Sequence, residues 1–270
     1  MPPLILVTND DGIGSHGLWA AARALSPLGE VVVAAPRQQV SGSGRGMPAG
    51  SDGIIELRQV ELDGKTWQGY AVGGSPSQVV LYAVLEILGR HPDLVVSGIN
   101  YGENVGSGIT SSGTVGAAYE AADMTIPSMA ISLETEKEHH FSNSDQVDFT
   151  TAAYFTHLFG RLLLEQRFPE DLSVLKVDIP DGATPKTPWQ ITRQSVQPYF
   201  LNFPPNRSSW DQPAKLGYEV RSKLENEPEG TDVHTLRVRR LVSVTPLSLD
   251  LTSRIDLNEL DRQLRSGVQS

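Results

Sequence analysis

Leu4-Ile5-Leu6-Val7-Thr8-Asn9-Asp10-Asp11-Gly12 is the stretch that decides the fold class of this chain. Its apolar run reads as a buried parallel strand, unbroken because such a strand is covered on both faces. Two carboxylates follow at once. Adjacent acids at a strand tip repel each other, and each loses hydration unless positive charge sits beside it. A divalent ion at the carboxyl edge of a sheet answers both costs, because hard cations take carboxylate oxygens. The competing structural reading is a helix N-cap plus a turn, two roles that Asp favours.

Working outward, strand-like and helix-like stretches alternate through the first half. Strands are expected at Leu4–Thr8, Val31–Ala35, Leu94–Ser97 and Ser128–Ser132, with a pair at Ile54–Leu62 and Trp67–Val72 joined by an Asp63-Gly64 turn. Helices are expected at Leu18–Leu25, Pro76–Leu88 and Val115–Met124. This order predicts an α/β fold: a three-layer, Rossmann-like, mostly parallel sheet with helices on both faces. The spacing predicts a further helix over Phe149–Leu164, strands at Ser173–Ile179 and Val242–Leu247, and a C-terminal helix at Asp256–Leu264. Residues 1–270 are read as a single domain: core 1–135, core completion 136–180, arm 181–240, and strand plus helix 241–270. The arm is rich in proline and in aromatics of exposed character (Trp189, Tyr199, Phe200, Phe203, Trp210). That texture suits a hairpin-like arm packed on another subunit, or a surface excursion covered by its own chain.

The chain has 270 residues, 39% hydrophobic and 20% charged, with a formal net charge of −10. Those values suit a globular protein and argue against a broad basic face for duplex nucleic acid. With no cysteine, disulfides, thiolate catalysis, zinc ribbons and iron–sulfur clusters are excluded. The apolar run at the N-terminus is cut short by Asn9-Asp10-Asp11, so neither a signal peptide nor a membrane span is expected, and the cytoplasm is the expected location.

Chemistry in an open parallel sheet sits beyond the carboxyl ends of its strands. Three expected strand tails carry small oxygen donors and glycine: Asn9-Asp10-Asp11, then Ser41-Gly42-Ser43-Gly44, then Asn100-Tyr101-Gly102-Glu103-Asn104. Asp10 and Asp11 bring two negative charges, and Ser41 and Asn100 can add neutral oxygens. Such an all-oxygen set favours magnesium, manganese or calcium over zinc or copper. The glycine-rich stretch Gly98–Gly113 then runs into a helix at Thr114. Its backbone N–H groups, the positive helix end and the hydroxyls of Ser111, Ser112 and Thr114 suit a phosphate.

Gly12-Ile13-Gly14-Ser15-His16-Gly17 also matches the dinucleotide fingerprint, and Arg37 follows the second strand. An NADP-dependent oxidoreductase is therefore a rival reading, although Asp10 and Asp11 would then face a pyrophosphate. A phosphorelay receiver lacks the later Asp and Lys it needs, and no G-x-S-x-G elbow supports a Ser–His–Asp triad. His139-His140 reads as a solvated loop, and His16 as a helix-start residue close to the acids.

Taken together, Asn9-Asp10-Asp11-Gly12, Ala35-Pro36 with Ser41-Gly42-Ser43-Gly44, Val96-Ser97-Gly98-Ile99-Asn100-Tyr101-Gly102-Glu103-Asn104-Val105-Gly106, Ser112-Gly113-Thr114-Val115-Gly116-Ala117-Ala118 and Val242-Ser243-Val244-Thr245-Pro246-Leu247 resemble the SurE family. The resemblance implies a metal-dependent 5′/3′-nucleotidase acting on nucleoside monophosphates, with one divalent ion per subunit (magnesium or manganese, with calcium able to substitute). It implies Asp10, Asp11, Ser41 and Asn100 as metal ligands. It places Asn9, Gly42, Ser43, Ser112, Gly113 and Thr114 around the phosphate, and Asn104 is expected to join them. Asp10 is the candidate base, or the nucleophile if a phospho-aspartate forms, and Asn9 is expected to stabilise the charge growing on phosphorus. It further implies a homodimer or homotetramer built through the arm and the C-terminal segment. A non-catalytic nucleotide sensor using the same cradle is the remaining alternative. The chain departs from the family at Ser111, Ser75-Pro76-Ser77-Gln78 and Lys176-Val177-Asp178, where tyrosine, Thr-Pro-Ala-Asp and asparagines are usual.

Overall fold

The computed structural model describes residues 1–62 and 64–268. Its elements, in chain order, are β1 (Leu4–Thr8), α1 (His16–Leu25), β2 (Glu30–Pro36), β3 (Ile55–Leu62), β4 (Lys65–Val72), α2 (Pro76–Tyr82), β5 (Leu94–Tyr101), α3 (Gly113–Asp123), β6 (Ser128–Leu133), α4 (Thr150–Glu165), β7 (Val174–Ile179), β8 (Trp189–Ile191), β9 (Phe200–Phe203), β10 (Gly217–Val220), β11 (Val242–Leu247) and α5 (Leu257–Val268). Asp63 of the expected hairpin turn lies outside the described residues.

One nine-stranded sheet has the order β3-β4-β2-β1-β5-β6-β7-β11-β8. From β4 to β7 every neighbouring pair is parallel. β3 closes one side antiparallel to β4, and β11 runs antiparallel to β7. β1 is flanked by β2 and β5, so the chain order reverses direction at the β1–β5 boundary. Crevices beyond the carboxyl ends of such switch points are where open α/β sheets take their ligands.

The alternation inside β1 explains its unbroken apolar run. Ile5 and Val7 join the core under α1 and α4, whereas Leu6 joins the core under α2 and α3. All three are fully out of water, so the run up to Val7 is apolar on both faces. Ser15 caps α1, accepting the Leu18 N–H at 3.3 Å. Asp10 and Asp11 are thereby left without the capping role that the structural reading gave them.

Three expectations need correction. β5 does not stop at Ser97; it continues past an irregularity between Ser97 and Asn100 and ends at Tyr101. The expected helix Pro76–Leu88 is α-helical only to Tyr82 and widens into a π-turn over Ala83–Ile87. In the arm, β8 joins the main sheet beside β11, and β9–β10 make a separate antiparallel hairpin. Tyr199 is wholly buried there, contrary to its exposed reading, because it packs with Val105, Val233 and Leu236. No described helix is long and apolar enough to cross a membrane.

Candidate active site

Asp10 and Asp11 leave β1 at the switch point and are almost completely buried, with 5% and 2% exposure. Their hydrogen bonds all come from neutral donors. The Thr114 hydroxyl donates to Asp10 Oδ1 at 2.5 Å and lies 3.1 Å from Asn100 Oδ1. The first N–H groups of α3, those of Gly113 and Thr114, also point at the Asp10 carboxylate. Gln39 Nε2 donates to Asp11 Oδ1 at 2.8 Å, and the Tyr101 N–H reaches Asp11 Oδ2 at 3.4 Å. Neither acid takes part in any ion pair among the described residues. Burial raises the Asp10 carboxyl above its ordinary value. Burial and the neighbouring Asp10 charge raise Asp11 well above its own.

Two structural details bring the second tail onto these acids. A Cβ on Gly116 would stand 2.2 Å from the Gly44 carbonyl oxygen, so the 41–46 loop can lie directly against α3. Arg45 then clamps it there through Glu120 at 2.6 Å and Asp123 at 2.7 Å. A Cβ on Gly113 would stand 2.8 Å from Asp10 Oδ2 and 2.9 Å from Ser43 Oγ. The bare glycine is what lets Asp10, Ser43 and the start of α3 converge. Ser43 Oγ is itself buried without a hydrogen-bond partner.

The acids line a cavity of about 340 Å³, on whose wall Ser41, Gly42, Asn100, Asn104 and Ser112 also lie. Asn9, Ser43, Gly113 and Thr114 are not part of its lining. Asn9 is fully buried, and its amide is engaged with Gly12 at both ends, donating to the carbonyl at 3.2 Å and accepting the N–H at 3.1 Å. Its place is in the turn that presents Asp10. Ser112 Oγ accepts the Val115 N–H at 3.1 Å and so caps α3. Asn104 donates from Nδ2 to Ser132 Oγ at 2.9 Å.

The donor set fits a divalent cation. Two buried carboxylates lack a counter-charge, and the neutral oxygens of Ser41 and Asn100 share their cavity. No cluster of three His, Cys, Asp or Glu side chains suited to a metal exists among the described residues. An ion at this place would have two acids and neutral oxygens to draw on, a set that would roughly balance its charge.

The model of the family described as Survival protein SurE matches residues 5–200. The chain belongs to the SurE family. It is 40% identical to a protein named 5′-nucleotidase SurE from Thermococcus kodakarensis, over 96% of this chain and 98% of the relative. A protein of the same name from Methanosarcina mazei is likewise 40% identical, over 98% of both chains. The crystal structure of the SurE protein from Aquifex aeolicus superposes with a TM-score of 0.76 at 30% identity, covering 97% of this chain and all of that one.

Within this SurE fold, several cavity residues were given no role of their own in the sequence reading. Glu103 is 3% exposed on the cavity wall, held by the Tyr199 hydroxyl and, at 3.4 Å, by Arg237. Those partners lie far along the chain, so no local spacing announces them. His140, read as solvated, also lines the cavity, with Phe141, Phe200 and Tyr218. Its Nδ1 pairs with Tyr218 Oη at 2.9 Å.

Proposed function

We propose that this chain is a divalent-metal-dependent phosphomonoesterase that hydrolyses nucleoside 5′-monophosphates to nucleoside and phosphate. The observation that carries the reading is the pair of buried, uncompensated carboxylates at the switch point, on the wall of a cavity of about 340 Å³, roomier than a lone ion needs. The printed activity of the relatives agrees with it. Asp10, Asp11, Ser41 and Asn100 would hold one magnesium or manganese ion, and calcium fits the same oxygens. When bound, the ion would supply Lewis acidity toward the phosphoryl group.

The chain's own groups do the rest. Asp10 orients the attacking water and takes its proton at the carboxylate. The N-terminal end of α3, which Ser43 packs against, stabilises the charge that grows on the phosphate oxygens. Asn9 fixes the turn, Thr114 fixes Asp10 against Asn100, and Ser112 holds the helix start in register.

The dinucleotide rival loses support at two of its three glycines. A Cβ on Gly12 would meet the Gln38 backbone at 2.9 Å, and one on Gly17 would meet the Ile99 carbonyl oxygen at 2.1 Å, whereas Gly14 has open space around it. Gly12 and Gly17 therefore serve the chain's own packing. We further propose that the subunits assemble as a homodimer or homotetramer through the arm and the C-terminal segment.

The deciding assay is release of inorganic phosphate from AMP and GMP in the presence of manganese, with EDTA as the control. Release that EDTA abolishes is expected. Nucleotide binding without any release would identify a sensor, and release indifferent to EDTA would remove the metal from the reading.

A further inference from the structure

Asp11 is held in part by a stretch of chain that has no core of its own. Between β6 and α4, no residue from 135 to 148 is buried. Polar ties keep this segment in place, and three of them lead to Asp11. Asn143 Nδ2 donates to the Asp11 carbonyl at 3.2 Å. The Tyr101 hydroxyl donates to the Ser144 carbonyl at 2.9 Å, while the Tyr101 N–H reaches Asp11 Oδ2. Gln39 makes the third tie. Its Nε2 donates both to Asp11 Oδ1 and to the His140 carbonyl, each at 2.8 Å.

The chemistry of that amide is selective. Each oxygen of a carboxylate has two lone pairs. Gln39 engages one on Oδ1 and the Tyr101 N–H one on Oδ2, so the plane of the carboxylate is fixed while each oxygen can take a further partner. The amide uses both of its N–H donors and brings no charge. A lysine or arginine at this place would also hold Asp11, but it would neutralise the acid and weaken its pull on a cation. Gln39 does not line the cavity, so it acts through Asp11 and not on a substrate. Ser41, which does line it, lies two residues further along the same tail.

We propose that Gln39 is a positioning residue for Asp11. It sets the carboxylate plane for a divalent ion and ties it to the 135–148 segment, without supplying a charge that competes with the ion. The inference rests on the metal-dependent reading above and adds to it a residue outside the ligand set. Hydrogen-bond partners of metal ligands are typically worth about 10–100-fold in metal affinity.

The test titrates the metal-free full chain with manganese alone and reads the free ion by electron paramagnetic resonance, in wild type, Gln39→Ala, Gln39→Lys and Asn143→Gly. Gln39→Ala should weaken binding at least about tenfold. Gln39→Lys should weaken it further. Without metal, the lysine variant should also melt a few degrees above wild type, because an ammonium replaces a neutral donor beside two buried acids. A residue that only braced the loop would give the opposite melting shift. Asn143→Gly cuts a tie from the same segment at a φ of 45°, which glycine adopts readily, and it should cost clearly less affinity than Gln39→Ala. Unchanged binding in Gln39→Ala, or an equal loss in Asn143→Gly, would overturn the proposal and leave the metal assignment standing. So would a metal-free Gln39→Lys that melts no higher than wild type, and this variant decides alone if Gln39→Ala does not fold. A wild type that binds no manganese would sink the metal assignment and this inference with it. No substrate is present, so a chain that binds manganese but releases no phosphate from AMP still decides the role of Gln39.

Discussion

Asp10 is the residue on which the site turns. It sits at 5% exposure beside a second acid, with only neutral donors around it. Two consequences separate its chemical role from its structural one. Asp10→Asn should lower phosphate release by at least about a hundredfold, the scale of a lost general base. The same change should raise the thermal midpoint of the metal-free protein by a few degrees, because it removes one of two repelling buried charges. Manganese should then stabilise wild type more than the variant. Near-wild-type turnover, or a metal-free variant that melts earlier, would contradict the assignment, and a melting series with and without EDTA reads both. Much at this scale was legible in the chain: a strand ending in two acids is costly without a cation, whatever the fold. Ser43 and Gly113 come together only because Gly44 and Gly116 let the loop and helix touch, across a separation in sequence that no local pattern encodes. Glu103, named only as part of the third tail, and His140, read as solvated, were given no role for the same reason, since their side chains are held by Tyr199, Arg237 and Tyr218.

At the scale of elements, β7 carries an unusual burden for a strand inside a sheet. Lys176 and Asp178 are both fully buried, 2.6 Å apart, and Lys176 Nζ also lies 3.3 Å from the equally buried Asp232. Burial alone would lower the Lys176 ammonium, but the two carboxylates outweigh it and hold it above its ordinary value. The remaining carboxylate capacity is used on backbone: Asp178 accepts the Asn104 N–H at 2.7 Å, and Asp232 accepts those of Gly106 at 3.1 Å and Ser195 at 2.8 Å. The triad thus pins the segment after β5, which walls the cavity, to the root of the arm. Lys176→Met should destabilise the protein by about 3–5 kcal/mol, because two carboxylates are left buried without a cation. Adding Asp178→Asn should recover part of that loss. Urea unfolding measures both, and a shift within error for the single variant would show that the triad is not ionic. The parallel strands were readable because each is apolar on both faces. The tail of β5 was not, because glycine and asparagine there signal a loop, and only pairing with β6 through Ser132 and Leu133 makes it strand. α2 was overextended because apolar periodicity does not distinguish an α-helix from a π-turn.

The whole molecule leaves one element without a core. α5 has no buried residue, although Leu257, Leu260, Leu264 and Val268 recur along one stripe. An isolated helix of this length is marginal in water, so its stability requires a covering surface. The β9–β10 arm has the same character, with Trp210 at 95% and Leu216 at 71% exposure. In the assembly proposed above, a second copy of the chain would cover both at once, since a closed symmetric assembly buries each patch on every subunit. Four aliphatic side chains at about 1.5–3 kcal/mol each give an upper bound of roughly 6–12 kcal/mol per helix. Two exchanged helices double that bound to roughly 12–24 kcal/mol, which is of the size needed to offset an association cost of about 4–15 kcal/mol. Light scattering coupled to size exclusion should therefore find the full chain as a dimer or tetramer at micromolar concentration. A chain ending at Asp250, after β11 has completed its pairing with β7, should keep the sheet and fall to a smaller assembly. A full chain that runs as a monomer under those conditions would leave α5 without the partner its sequence pattern demands, and the oligomeric reading would fall with it.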